Sequence, residues 1–208
     1  MKKNSASIKK AYNRIAPYYD AMEWFMELTL FDRLREILWQ KVEGESILEI
    51  GVGTGKNLSY YPSGKKITAI DFSDQMLEQA KYKTKKLHFP VDLRLMDVQE
   101  LDFADSSFDT VIATFVFCSV SDPVQGLKEI LRVCKPGGQV LLLEHVLSSK
   151  PLLTAIMNFL NPLAVSIFGA NINRRTVETV ENSGFIDVKT DEKVSGDIVK
   201  LIEACKPA

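Results

Sequence analysis

The chain has 208 residues, of which 46% are hydrophobic, 25% charged and 9% aromatic. Those proportions exclude a disordered or fibrous chain, and the length buries a core without disulfides or metal. Lys and Arg number 26 against 27 Asp and Glu, a formal net charge of -1, which excludes the strongly basic profile of a general nucleic-acid binder.

The opening stretch, Met1 to Asn13, is polar and basic with no apolar h-region, so no signal peptide is expected. Ile8, Ala11, Tyr12 and Ile15 follow helical spacing, while Lys9, Lys10 and Arg14 take the other face. Five basic residues and no acidic ones precede Ala16. Pro17 is expected to end this amphipathic helix, because the residue before a proline is pushed out of helical geometry. A second helix is expected over Phe31 to Val42, with Leu34, Ile37, Leu38 and Val42 facing inward.

After Gly44 strands and helices alternate. Strands are expected at Ser46 to Ile50, Lys66 to Ile70, Val91 to Met96, Thr110 to Phe117 and Gln139 to Val146. Helices are expected at Asp74 to Lys86 and Pro123 to Val133, the latter stopping before Lys135-Pro136-Gly137-Gly138. This alternation predicts an α/β fold with a parallel sheet. Phe185 to Thr190 and Ile198 to Cys205 lie too close together for an intervening helix, which predicts a terminal antiparallel pair. With no repeat or low-complexity linker, residues 1–208 read as one domain: a helical segment over 1–43 and a core over 44–208. Cys118, Cys134 and Cys205 are odd in number and lack CxxC spacing. They read as reduced core residues of a cytoplasmic protein, with no disulfide framework and no metal site expected.

One stretch departs from the average. Pro151 to Asn173 holds no charged residue over 23 positions, close to the roughly 20 apolar residues of a spanning helix. Asn158, Asn161 and Pro162 interrupt it, so helical pieces broken at Asn161-Pro162 are expected, forming an apolar insertion over 150–173 and not a transmembrane span. Asn173 is placed to cap a helix from Arg174 to Ser183.

The most informative segment is Ile47-Leu48-Glu49-Ile50-Gly51-Val52-Gly53-Thr54-Gly55, a buried strand running into a glycine-rich turn with a helix beginning near Lys56. A phosphate loop would need glycine where Ile50 stands and Ser or Thr where Asn57 stands. The dinucleotide fingerprint would need glycine at Lys56. The observed pattern is instead E-x-G-x-G-x-G. Its acidic residue would repel a pyrophosphate and suits a cationic amino-acid group. Asp71 lies 20 residues after Gly51 at the end of the second strand, where a carboxylate can accept both ribose hydroxyls.

Glu49 to Gly55, Asp71 with Ser73 and Met76-Leu77, Asp97, Phe108-Asp109 and Leu131 to Gly138 together resemble the class I S-adenosylmethionine (SAM) methyltransferases. The resemblance covers about Tyr12 to Cys205. It implies a Rossmann-like, doubly wound seven-stranded sheet, mostly parallel with a C-terminal antiparallel strand, under an N-terminal helical lid. It also implies that Gly51, Gly53 and Gly55 wrap the methionine part of SAM, with Glu49 nearby, and that Asp71 holds the ribose. Phe72 and Met76 would flank the adenine, Asp97 would accept from its amino group beside Val98, and Thr114 and Phe115 would lie under the sulfonium.

The arm Tyr12-Asn13-Arg14-Ile15-Ala16-Pro17-Tyr18-Tyr19-Asp20 resembles the same enzymes, which puts Tyr12 at the cofactor, Tyr18 at the acceptor and Tyr19, with His145, among the catalytic candidates. After the fifth strand, Glu144 and His145 point to opposite faces, so only one of them is expected to face the acceptor site; His145 reads either as a general base or as a packed aromatic wall. Asn173 and Arg174 read either as helix-cap surroundings or as part of an acceptor site in which Arg174 or Arg175 binds an anionic group such as a phosphate. The arm, Phe117-Cys118-Ser119-Val120, Glu144-His145-Val146 and the apolar insertion narrow the resemblance further. They are most similar to small bacterial phosphatidylethanolamine N-methyltransferases and alkyl-thiol methyltransferases, and more distantly to quinone C-methyltransferases. The expected reaction is methyl transfer from SAM, with S-adenosylhomocysteine as product, to a phospholipid amine. A thiol, a quinone or another small molecule is the alternative acceptor, and a non-catalytic SAM-binding protein the distant one. The basic arm and the apolar insertion further suggest peripheral contact with an anionic membrane surface at the inner face.

Overall fold

The structure is a computed structural model that describes residues 5–27, 31–191 and 197–208. A sheet of seven strands forms its centre: β1 (Ser46–Ile50), β2 (Lys66–Asp71), β3 (Asp92–Leu95), β4 (Phe108–Thr114), β5 (Cys134–His145), β6 (Ile186–Thr190) and β7 (Val199–Cys205). Their order is β3-β2-β1-β4-β5-β7-β6. β1 to β5 are parallel, and β7 inserts antiparallel between β5 and β6. This is the doubly wound, mostly parallel sheet the sequence predicts.

The period of two along each strand feeds two cores. Ile47, Ile112, Leu141 and Leu143 point to the face covered by α2 (Asp32–Gln40), where Phe31, Leu34, Leu38 and Trp39 pack on them. Leu48, Val111, Ala113, Val140 and Leu142 point to the other face, against Leu127, Ile130 and Val133 of α4 (Pro123–Val133). α4 starts where the sequence places it, because Asp122 accepts from the Gln125 backbone N–H at 3.1 Å and Pro123 occupies the first turn. α3 (Asp74–Thr84) begins at Ser73, whose hydroxyl accepts from the Met76 N–H at 3.2 Å.

Three expectations are corrected. Pro17 does not end the first helix: α1 runs from Ser5 to Met26 through it. Pro17 is exposed, and buried Ile8, Ala11 and Ala16 hold the helix in place around it. The uncharged stretch is likewise continuous, as α5 (Pro151–Phe168), with Pro162 on its exposed side. Finally, Asn173 caps nothing. α6 spans Thr176–Glu181 without a side-chain cap, and the Asn173 amide donates to Asn158 Oδ1 at 2.9 Å.

Candidate active site

Strand order reverses between β1 and β4, the point at which open α/β sheets bind ligands beyond their carboxyl ends. A cavity of about 40 Å³ there is lined by Asp71, Phe72, Met96, Asp97 and Val98 and closed by Ser5 of α1. A second, of about 60 Å³, is lined by Tyr12, Gly53, Met76, Thr114 and Phe115. Both share Gly51, Asp71, Phe72, Val116 and Ser119, so they form one groove across the strand ends.

The loop after β1 shapes this groove. Gly53 lines the groove at φ +55, and a Cβ there would meet nothing closer than the Gly51 carbonyl oxygen at 4.0 Å. Only a bare backbone leaves that space for a ligand. Gly55 serves packing instead: a Cβ would come within 2.5 Å of Leu58 Cδ1 and 3.2 Å of Ala80 Cα. It lets the loop seat against α3, and it is not among the residues that line the two cavities.

Asp71 is 6% exposed. Its Oδ2 accepts from the Gly53 N–H and its Oδ1 from the Ser73 N–H, both at 2.8 Å. Burial pushes its carboxyl up to about 6, against the pull of these backbone donors. Each oxygen keeps a further lone pair, so the carboxylate can take two hydroxyl donors from the groove. Asp97 accepts from the Gln99 N–H at 3.0 Å and from the Gln99 amide. Gln99 in turn donates to Ser5 of α1 and accepts from Ser121. Together with the Ser73 hydroxyl donating to Asn13 Oδ1 at 2.6 Å and Thr54 donating to Asp20 at 2.6 Å, these contacts lay α1 across the groove.

Glu49 is not in the groove. It shares the strand face of Ile47, turned toward α2, and is fully buried. There it accepts from the Asn57 amide at 2.5 Å and from the Tyr61 hydroxyl, and burial pushes its carboxyl up to about 8. Beside it stands Arg35, only 5% exposed. Arg35 Nη1 donates to Asn57 Oδ1 at 2.9 Å and to Thr114 Oγ1 at 3.1 Å, and its Nε donates to Glu27 Oε1 at 2.5 Å. Glu27 also pairs with Lys56 at 2.9 Å. This polar floor fixes Thr114, the last residue of β4 and part of the groove wall.

A third cavity, of about 310 Å³, adjoins the groove and shares Tyr12, Tyr19 and Phe115 with it. Its wall is aromatic. The Phe115 and His145 rings are 4.8 Å apart, Phe31 and Phe115 4.5 Å, and Tyr12 and Tyr19 6.5 Å. Phe115 holds a positive φ of +56, a strained geometry kept where a site demands it. His145 faces this cavity because it continues the face of Leu141 and Leu143 toward Phe31. Glu144 faces oppositely and accepts from the Val116 and Phe117 N–H groups at 2.9 and 3.1 Å, holding the loop after β4; burial pushes it up to about 8.

Tyr18 lines none of these cavities: it is 68% exposed, on the solvent side of α1. Asn173 and Arg174 are also apart from them, Arg174 Nη2 donating to the Val120 carbonyl at 2.9 Å. Arg35, Asn57 and Phe31 belong to the site and carry no local signal, since each sits in an ordinary helical pattern. Among the described residues no group of three or more His, Cys, Asp and Glu side chains comes together as a metal site would require.

Residues 48–142 match the family model of the methyltransferase domain. The chain is 37% identical over 152 residues to a phosphatidylethanolamine N-methyltransferase of Cereibacter sphaeroides, covering 72% of this chain and 73% of that protein. It is 31% identical over 169 residues to a thiol S-methyltransferase of Rattus norvegicus, covering 78% and 68%. Over 146 residues it is 33% identical to a ubiquinone/menaquinone biosynthesis C-methyltransferase of Geotalea daltonii, covering 66% of this chain and 62% of that one. In fold it matches a SAM-dependent methyltransferase of Thermotoga maritima with a TM-score of 0.70, at 21% identity, over 95% of this chain and 99% of that one.

Proposed function

The chain belongs to the SAM-dependent methyltransferases, and from that premise we propose that it methylates the amine of a phospholipid such as phosphatidylethanolamine. The observation that carries this reading is the uncharged aromatic cavity that shares Tyr12, Tyr19 and Phe115 with the groove. Ring faces attract alkylated ammonium groups, and an apolar wall accepts the remainder of a lipid-like molecule.

The groove's residues fit SAM. Gly53 leaves the space that a Cβ would fill, and buried Asp71 keeps acceptor capacity for two hydroxyls. Met76 and Phe72 offer apolar surface to a base, and Asp97 an acceptor at the far end. Bound there, SAM supplies a methyl group on an already good leaving group. The protein's task is then alignment and exclusion of water, which contributes about 7–11 kcal/mol to such displacements. Phe115, seated on the Arg35 guanidinium at 5.4 Å, and the two tyrosines set the meeting point of the groove and the aromatic cavity. α1 closes over it as a lid.

An ammonium acceptor must lose a proton before it can attack; His145 and Tyr19 both line the aromatic cavity, and either would take it. Replacing His145 with Phe keeps the aromatic wall and removes the proton acceptor. We expect kcat to fall about 10²–10⁴-fold, the range typical of a lost general base, with SAM affinity held. An unchanged kcat would leave His145 as a wall only.

The acceptor is tested by incubating the protein with SAM carrying a labelled methyl group and pooled phospholipids, thiols and quinones. The label is expected on phosphatidylethanolamine or its partly methylated forms. Label on thiols alone would replace this reading with thiol S-methylation, which the absence of a charged side chain among the described cavity residues also accommodates. Tight SAM binding with no labelled product would leave a non-catalytic SAM-binding protein.

A further inference from the structure

α5 is built inside out. Leu152, Ile156, Phe159, Leu160, Leu163 and Ile167 are its exposed large apolar residues before the final Phe168, and their spacing puts them in one stripe along the helix. Leu152 and Phe159 are 78% and 82% exposed. Polar side chains tie the other side to the protein. Thr154 Oγ1 donates to the Ser148 carbonyl at 2.6 Å, and Asn161 Oδ1 accepts from the Ile172 N–H at 2.8 Å. A helix packed on a protein in water turns its apolar stripe inward and its polar residues out.

We propose that this stripe docks on a phospholipid bilayer, with α5 lying flat in the headgroup region and its apolar side chains reaching the acyl boundary. The proposal deepens the lipid-acceptor reading and rests on it for its purpose, since it brings the membrane to the cavity mouth.

Three observations carry it. Ala164 and Phe168 of α5 line the aromatic cavity, and half-exposed Met22 of α1 stands on the same rim, so stripe and cavity are continuous. Cations mark both ends of an otherwise uncharged helix. Lys150 directly precedes it, and Arg14 Nη2 donates to the Ile167 carbonyl at 3.3 Å. Apolar surface flanked by cations complements anionic headgroups. Exposed Tyr18 lies one turn from both Arg14 and Met22, a side chain suited to the membrane–water boundary. By length and mean hydropathy α5 could cross a bilayer, but its polar contacts along the inner side, from Ser148 to Ile172, hold it against the protein.

The test is flotation with vesicles of phosphatidylcholine and phosphatidylglycerol. The double substitution Leu152→Glu/Phe159→Glu is expected to lower the vesicle-bound fraction at least about tenfold, because it puts charge at the most inserted positions. The melting temperature should stay put, because both side chains are already in solvent. Turnover of a short-chain, water-soluble phosphatidylethanolamine should also hold, while turnover of the vesicle lipid falls. In a Phe159→Trp variant, brominated acyl chains should quench the indole fluorescence. Unchanged vesicle binding by the double variant would overturn the proposal. So would a wild-type protein that ignores vesicles and sediments as a dimer which the double substitution dissolves, since the stripe would then cover a second copy. If no amine is methylated yet vesicle binding still depends on Leu152 and Phe159, the acceptor reading falls and the docking face stands.

Discussion

Asp71→Ala should weaken SAM binding at least about tenfold, or about 1.4 kcal/mol, when measured by titration calorimetry. The buried carboxylate offers two acceptor positions to the groove, and hydrogen bonds to a charged group contribute about 1.5–3 kcal/mol each. Its bonds to the Gly53 and Ser73 N–H groups also hold the glycine loop against the start of α3. Asp71→Asn separates the two effects, since an amide keeps the shape and one acceptor oxygen. Unchanged affinity in both variants would remove the ribose assignment.

The same group predicts a pH dependence. Burial raises the folded carboxyl from 3.8 to about 6, so the fold favours the protonated form. Its contribution to stability is therefore lost as pH rises from near 4 to near 6, the reverse of a salt-bridged carboxylate. Binding runs in the opposite direction: the ionised form is the better acceptor for hydroxyls. SAM affinity should decline as pH falls through about 6, and Asp71→Asn should flatten that profile. A wild-type affinity constant across this window would count against the assignment.

Arg35→Ala should cost about 3–5 kcal/mol of unfolding free energy, the usual loss when one partner of a buried ion pair is removed. Glu27 would lose its guanidinium partner, and Asn57 Oδ1 and Thr114 Oγ1 would each lose a donor beneath the groove. Phe115 would also lose the cation beneath its ring. Chemical denaturation reads the stability change. A loss below about 1 kcal/mol would place Arg35 among ordinary exposed pairs. Arg35→Lys keeps the charge but not the fork of donors that reaches Glu27, Asn57 and Thr114 together, so it should recover only part of the loss.

Much of the architecture was legible before any coordinates. Periods of two in β1, β4 and β5 and of 3.6 in α4 are local properties, and turn chemistry such as Asp122-Pro123 punctuates them. The E-x-G-x-G-x-G turn followed by Asp71 at the next strand end likewise identified the groove, since a backbone that must approach a ligand needs glycine within a few consecutive positions. Proline rules failed twice, at Pro17 and Pro162. Both prolines are exposed, and each helix continues through its proline, tied down by contacts elsewhere along its length.

What the sequence by itself determined, then, is the α/β class, the parallel pairing of its first strands and the glycine loop that lines the groove. Which side of each element carries chemistry was decided by the tertiary structure. Glu49, expected at the ligand, turned out to share a strand face with Ile47 and to lie under the groove beside Arg35. The alternation of Glu144 and His145 required that one face the acceptor side, but only the packing of α2 against β5 assigned it to His145. The uncharged stretch suggested a lipid contact but not which of its side chains would face outward. Burial is a property of neighbours distant in the chain, and no local pattern holds that information.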